Sequence, residues 1–369
     1  MMNKILFVAP TNGNGGIASW AANYRNRQNN DIQLISVGVS ERRAMSTNAS
    51  PSMSSRAWDG FLDMIETTKE VSSALKSNKD IKVVHLTTSG NIGTIRDYLI
   101  AKTAKKYGAK TILHCHYGCI SADYNRKNFM AWILRKTLYL YDQIWVLDNK
   151  SRSTLIANPK LKGKVLITPN FLDVPNLNTD IEGRNYKEVA FVGNLIPSKG
   201  VIELVQAVAS MDDGTRLHIV GPGSDEVVEK IKSIAGEKLG HQILLYGRVP
   251  NKDAVALISK VDIIALPTYY PSEAFPISIL EAMSQGKMVI SCDRAAIPDM
   301  LTDLDGNKCG LLVKERSSDD IKKAIEWCQS HKDKANSMCS AAYEKVYNAY
   351  RTDVVLELYN NNYSILINQ

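Results

Sequence analysis

The chain has 369 residues, too many for one ordinary domain and suited to two of common size, each able to bury its own core. Apolar residues make up 44% and charged residues 22%, which excludes a disordered or fibrous chain. The formal net charge is +7, and no apolar run approaches the ~20 residues that a bilayer-spanning helix needs.

Residues 1–9 are too short an apolar start for a signal-peptide core and read as a first strand, so a cytoplasmic location is expected. Further strands are predicted at 32–37, 83–86, 111–114, 143–146 and 165–168, with helical patterns between them, such as 58–76 and 91–107. Strands alternating with helices imply a parallel sheet covered on both faces. Six cysteines are scattered without a framework pattern, so disulfides are not expected. Basic residues gather at Lys102, Lys105, Lys106, Lys110, Arg126, Lys127, Arg135 and Lys136. They read as solvated helix faces, or as attraction to anionic lipid headgroups or a phosphorylated acceptor. No basic motif interleaved with aromatics stands out, so nucleic acid is not an expected partner.

The stretch 170–187 is rich in Asn, Asp, Pro and Gly and reads as a linker. The alternation then restarts, with strands predicted at 189–192, 217–220, 243–246, 263–266, 289–291 and 311–313, and only helices after about Ser318. The expected fold is α/β: two Rossmann-like, doubly wound parallel-sheet domains facing across a cleft. Their bounds are 1–170 for an acceptor domain and 171–345 for a nucleotide-sugar domain, with a C-terminal helical segment at 346–369 packing back on the first domain. Open parallel sheets bind ligands beyond the carboxyl ends of their strands, so the loops after strands carry the candidate chemistry.

In the sequence FVGNLIPSKG at 191–200, a strand ends at Gly193 and a helix begins near Gly200. Lys199 is then placed at a helix start, where free amides and the dipole favour a phosphate; read alone, it is equally a solvent-exposed loop lysine. LHIVGPG at 217–223 puts Gly221 in a turn that a ligand can approach closely, although ordinary turns look the same. In the stretch 261–290, Pro276 suits the first position of a helix that Gly286 ends, with Glu273 just before it and Glu281 in its second turn. The free amides of Ala274, Phe275 and Ile277 would hold a diphosphate, and the two carboxylates would accept hydrogen bonds from sugar hydroxyls. In the first half, Gly15 and Gly16 lie in a glycine-rich loop that lacks dinucleotide spacing. His114 and His116 follow the fourth strand, where His116 would hydrogen-bond a sugar hydroxyl or polarise the reacting centre; alternation sends Cys115 the other way. Buried histidines satisfied by backbone groups are the plainer alternative. Asp303 and Asp305 read as a turn, and no metal site is expected.

Together these segments resemble glycosyltransferase family 4, a retaining family of GT-B fold. The similar pieces run in the family's order: TPNFLD at 168–173, FVGNLIPSKG at 191–200, LHIVGPG at 217–223, YGRV at 246–249, and 261–290 with Glu273 and Glu281 in the E-x7-E pattern. Residues 297–299 and 309–313 look like its closing motif. In the first half the likeness is confined to the Gly15-Gly16 loop and the His116 region. The resemblance implies that Lys199 contacts a diphosphate and that Glu281 holds the ribose hydroxyls. It implies that Glu273, with the amides of Ala274, Phe275 and Ile277 beside Pro276, holds the sugar and phosphates. Arg248 and Val249 would lie near the base, Asn194 and Gly221 in the donor loops, and His116 near the sugar and acceptor. Asn194 stands where the family usually has Arg, and Ala274 where it usually has Gly.

The implied activity moves a sugar from a nucleoside-diphosphate sugar (UDP, GDP and ADP all remaining open) to a glycan or polyprenyl-linked acceptor. The setting would be cell-surface polysaccharide synthesis, at the inner face of an anionic membrane and without a cofactor. Competing readings are a nucleotide-sugar epimerase or a phosphorylase on the same scaffold, and a non-catalytic nucleotide-sugar binder, which Asn194 motivates.

Overall fold

The computed structural model describes residues 3–11, 16–27, 32–39, 53–174, 181 and 183–369. Gly15 and the rest of 12–15 lie outside the described residues, as do 175–180 in the linker. The chain forms two compact units, residues 1–169 with 356–369, and residues 170–355.

In the first unit the elements are β1 (Asn3–Ala9), α1 (Gly16–Asn26), β2 (Ile32–Gly38), α2 (Met53–Ser77), β3 (Ile81–Thr88), α3 (Gly93–Lys106), β4 (Lys110–Cys115), α4 (Ile120–Asn125), α5 (Phe129–Leu140), β5 (Gln143–Val146), α6 (Asn149–Ile156) and β6 (Val165–Ile167). All strand pairs are parallel, in the order β2-β1-β3-β4-β5-β6. The apolar run at the start of the chain forms β1 because helices cover both faces of the sheet: Ile5, Leu6, Phe7, Val8 and Ala9 are all fully buried. Helix starts follow polar caps. Asn128 accepts from the Ala131 amide at 2.9 Å to begin α5, and Asp148 accepts from the Ser151 amide at 2.6 Å to begin α6.

The second unit contains β7 (Glu188–Val192), α7 (Val201–Ala209), β8 (Arg216–Val220), α8 (Asp225–Ala235), β9 (Ile243–Gly247), α9 (Asn251–Lys260), β10 (Ile263–Leu266), α10 (Ile277–Ser284), β11 (Met288–Cys292), α11 (Ile297–Met300), β12 (Leu311–Val313), α12 (Ser318–Ser330) and α13 (Lys332–Lys345). A π turn (Val346–Tyr350) leads into α14 (Thr352–Ile367), which belongs to the first unit from Leu356 onward. The parallel sheet runs β12-β11-β10-β7-β8-β9. The chain therefore winds outward from β7 to β9, crosses back to β10 on the other side of β7, and winds outward again. This reversal places a crevice at the carboxyl ends of β7 and β10.

None of the six cysteines forms a disulfide. Among the described residues no helix is long and apolar enough to cross a membrane.

Candidate functional site

The loops after β7 and β10 meet at the reversal point. After β7 the chain makes one 3-10 turn (Pro197–Lys199) and then Gly200, at φ 78°, before α7 begins. Lys199 thus closes a 3-10 turn one residue before the α-helix rather than opening that helix. Gly200 is required there twice over: its φ is left-handed, and a Cβ would stand 2.2 Å from the Pro267 carbonyl oxygen. The β10 loop is tied to the same turn, since the Tyr269 amide donates to the Ser198 carbonyl at 2.8 Å. As a result the Lys199 Nζ lies 3.2 Å from Glu273 Oε2, with both side chains largely buried. The Thr268 hydroxyl also donates to Glu273 Oε2, at 3.4 Å.

The segment from Glu273 to α10 is held from both sides. Asn170 Nδ2 donates to the Phe275 carbonyl at 3.2 Å, and the Ala296 amide donates to the Ala274 carbonyl at 3.1 Å. Pro276 is the N-cap rather than the first helical residue, and it offers no side-chain cap. α8 and α12, by contrast, begin at Ser224 and Ser317, whose hydroxyls accept first-turn amides. The amides of Ala274, Phe275 and Ile277 have no acceptor among the described residues, so α10 presents bare N–H groups where an anion is favoured. Outside glycine, positive φ occurs among the described residues at Asn91, Tyr186, Ala295 and Arg316 and not at Ala274. Alanine therefore replaces glycine at 274 without backbone strain. Gly286, at φ 60°, ends α10, its amide donating to the Met283 carbonyl at 2.9 Å.

Glu281 is 9% exposed on α10, and burial pushes its carboxyl up to about 7, against an opposing hydrogen bond from the Asn251 side chain. Arg248 and Val249 lie in the loop after β9, just before α9, and Arg248 is exposed. Gly221 donates its amide to the Gly247 carbonyl at 2.8 Å, and a Cβ on it would meet the Gly193 carbonyl oxygen at 1.9 Å. Close packing between the protein's own loops thus already demands glycine at 221. Asn194 is exposed and supplies no cation. Asp303 accepts from the amides of Asn307 at 2.7 Å and Asp305 at 3.0 Å; these bonds, with Asn307's the larger influence, hold its carboxyl below the usual range and make it a turn residue.

In the first unit His116 follows β4 beside His114, their ring centroids 4.0 Å apart, while Cys115 joins the apolar core. A hydrogen-bonded chain links Tyr24, Tyr363, His85, His114 and Thr168, with Tyr24 and Tyr363 hydroxyls at 2.8 Å, Tyr363 to His85 Nδ1 at 2.5 Å, and His85 Nε2 to His114 Nδ1 at 3.3 Å. Burial lowers all three imidazoles, with His116 falling to about 3, so each is neutral. His116 Nε2 is buried without a partner among the described residues. Gly16 opens α1.

Asn170 and Asn251 bear on the site yet read in the sequence as linker and loop. Asn170 carried a signal in the TPNFLD piece at 168–173, whereas Asn251 is marked only by its position just after the β9 loop.

A reversed parallel sheet with a bare helix start and a lysine–glutamate pair at its switch point is the ligand-binding end of an α/β unit, and the two parallel sheets together give the GT-B fold class. Residues 180–345 match the family model described as Glycosyl transferases group 1. The chain is similar to the uncharacterised glycosyltransferase MJ1069 of Methanocaldococcus jannaschii, 23% identical over 264 residues, covering 67% of this chain and 65% of that one. It is also similar to the poly(ribitol-phosphate) alpha-N-acetylglucosaminyltransferase of Staphylococcus aureus, 25% identical over 236 residues, covering 58% and 46%. The match thus spans less than two thirds of either relative. Among solved structures, HepE of Anabaena in complex with UDP superposes with a TM-score of 0.71 at 16% identity, covering 98% of this chain and 99% of that one.

Proposed function

We propose that the protein is a retaining glycosyltransferase that binds a nucleoside-diphosphate sugar at the β7–β10 reversal and transfers the sugar to a glycan or lipid-linked acceptor. The observation that carries this reading is the bare start of α10 beside the Lys199–Glu273 pair. Three free amides and one ammonium suit a diphosphate. Glu281, poised near neutrality in a buried position, suits a pair of ribose hydroxyls. The second unit takes the donor and the first takes the acceptor, with the unsatisfied Nε2 of His116 on the acceptor side.

In the step proposed, the bond from the anomeric carbon to the diphosphate oxygen breaks and negative charge develops on the diphosphate. Lys199 and the amides of α10 stabilise that charge in a preorganised site. The acceptor oxygen bonds to the anomeric carbon on the face the diphosphate leaves, and a diphosphate oxygen receives the acceptor's proton. Glu273 does not act as nucleophile; it orients Lys199 and accepts from the sugar hydroxyls.

UDP in HepE favours a uridine donor, and the S. aureus relative, named for poly(ribitol-phosphate), favours a polymer acceptor; the setting proposed is cell-surface polysaccharide synthesis on the cytoplasmic side of a membrane. A thermal-shift screen of UDP-, GDP- and ADP-sugars tests the donor. The matching sugar raises the melting temperature with the logarithm of its concentration. An isomerised donor formed without acceptor would turn the reading to an epimerase, and no shift with any of the three would overturn it.

A further inference from the structure

We infer that α5, with the outer edge of α3, is a docking surface for an anionic lipid bilayer. Between residues 91 and 140 the chain carries nine basic and two acidic residues, an excess of seven that equals the net charge of the whole chain, +7. Among them sit two large apolar side chains with no burial to explain them. Phe129 is 70% exposed and Trp132 51% exposed, and their rings stack at 5.9 Å between centroids. A helix turn relates them, so they share one face of α5 with Lys136, whose Nζ lies 5.8 Å from the Trp132 ring. Arg126 and Lys127 stand exposed just before the helix, and Ile92 is 61% exposed at the start of the adjoining α3. Tryptophan and phenylalanine on one side with lysines around them match the headgroup boundary of a bilayer, where rings enter the apolar layer and ammonium groups meet lipid phosphates.

These aromatics interleave with Arg126, Lys127, Arg135 and Lys136, which corrects the reading that no basic stretch of this chain is interleaved with aromatics. A soluble polyanion such as nucleic acid would use the same charges. Phe129 and Trp132 stack on each other with Ile92 exposed on the adjoining α3, an apolar set that a bilayer covers as one surface; a nucleic acid would stack bases on the rings, and the RNA arm of the test separates the two. The surface lies wholly in the first unit, and it holds whichever sugar the second unit takes.

The test is co-sedimentation of the full chain, without donor, with vesicles of phosphatidylcholine alone and of phosphatidylcholine with phosphatidylglycerol. The native chain is expected to pellet with the anionic vesicles and to leave them in high salt. The double variant F129S/W132S is expected to bind them at least about tenfold more weakly, and K127E/K136E likewise. Unchanged melting temperatures and donor thermal shifts in both variants keep folding and donor binding apart from this result. Equal pelleting of the native chain and F129S/W132S overturns the inference. So does failure to bind anionic vesicles, or binding to polyphosphate or RNA in solution that the aromatic substitutions leave unchanged.

Discussion

The ammonium of Lys199 rests 3.2 Å from a carboxylate oxygen of Glu273, although the two residues belong to loops on opposite sides of the sheet's reversal. The pair is mostly shielded from water, so removing the lysine leaves a carboxylate with only Thr268 for support. Lys199→Ala is expected to cost about 1–3 kcal/mol of stability and to slow transfer by about 10²–10³-fold. Adding Glu273→Gln should restore the stability but not the transfer. Urea denaturation beside turnover in the single and double variants checks both halves, and recovery of activity in the double variant would contradict the role given to Lys199.

Glu281 makes a second prediction through its raised carboxyl. In the unfolded chain a glutamate titrates near 4.5, but here it titrates near 7. Between those values the folded state binds the proton that the unfolded state lacks, so stability falls as pH rises through this window. The penalty is complete above pH 7 and amounts to about 3 kcal/mol at most. Glu281→Gln should therefore melt higher than the native protein at pH 8 and close to it at pH 4.5, while losing donor affinity. A lower melting point for Glu281→Gln at pH 8 would contradict the buried, functionally held carboxylate.

Gly200 offers a sharper mechanical test. Gly200→Ala would drive a Cβ against the Pro267 carbonyl and hold a left-handed φ, whereas Gly163→Ala meets only the φ, with open space around it. Gly163→Ala should cost about 1 kcal/mol and Gly200→Ala at least about 2 kcal/mol. Gly200→Ala should also weaken donor binding, because Pro267 leads into the Glu273 loop. Equal costs in chemical denaturation would mean that the two loops are not packed as described.

The histidines of the first unit set the acid limit. His85, His114 and His116 are held neutral by burial, their folded affinities for protons far below those in the unfolded chain. Their contribution is present above about pH 6.5 and is lost as pH falls, since only the unfolded chain then takes up protons. From pH 7.5 to 5.5 three such groups remove about 4 kcal/mol. Measured in Glu281→Gln, which lacks the opposing glutamate titration, a flat stability profile over that range would refute their neutral burial.

Much of the fold was legible because parallel strands buried on both faces leave continuous apolar runs, as at Ile5 to Val8 and Ile263 to Leu266. The helix start at α10 was legible from Pro276 and Gly286, to within one residue. The closeness of Lys199 and Glu273 was not readable from spacing, since it follows from the order in which strands line up rather than from either loop. The contact of Asn170 with this segment was hidden for a similar reason: its partner, the Phe275 carbonyl, is distant in sequence. Phe129 and Trp132 look like ordinary core residues of an amphipathic helix until burial shows which way they face.

The most direct test of the central claim is calorimetric titration of the matching nucleoside-diphosphate sugar into the native protein and into Lys199→Ala, beside the same titration with the nucleoside alone. The account predicts tight diphosphate-dependent binding to the native protein, weakened at least about tenfold by Lys199→Ala, and weak nucleoside binding that the substitution leaves unchanged. Equal affinity of both proteins for the nucleotide sugar would contradict a diphosphate held between Lys199 and the start of α10.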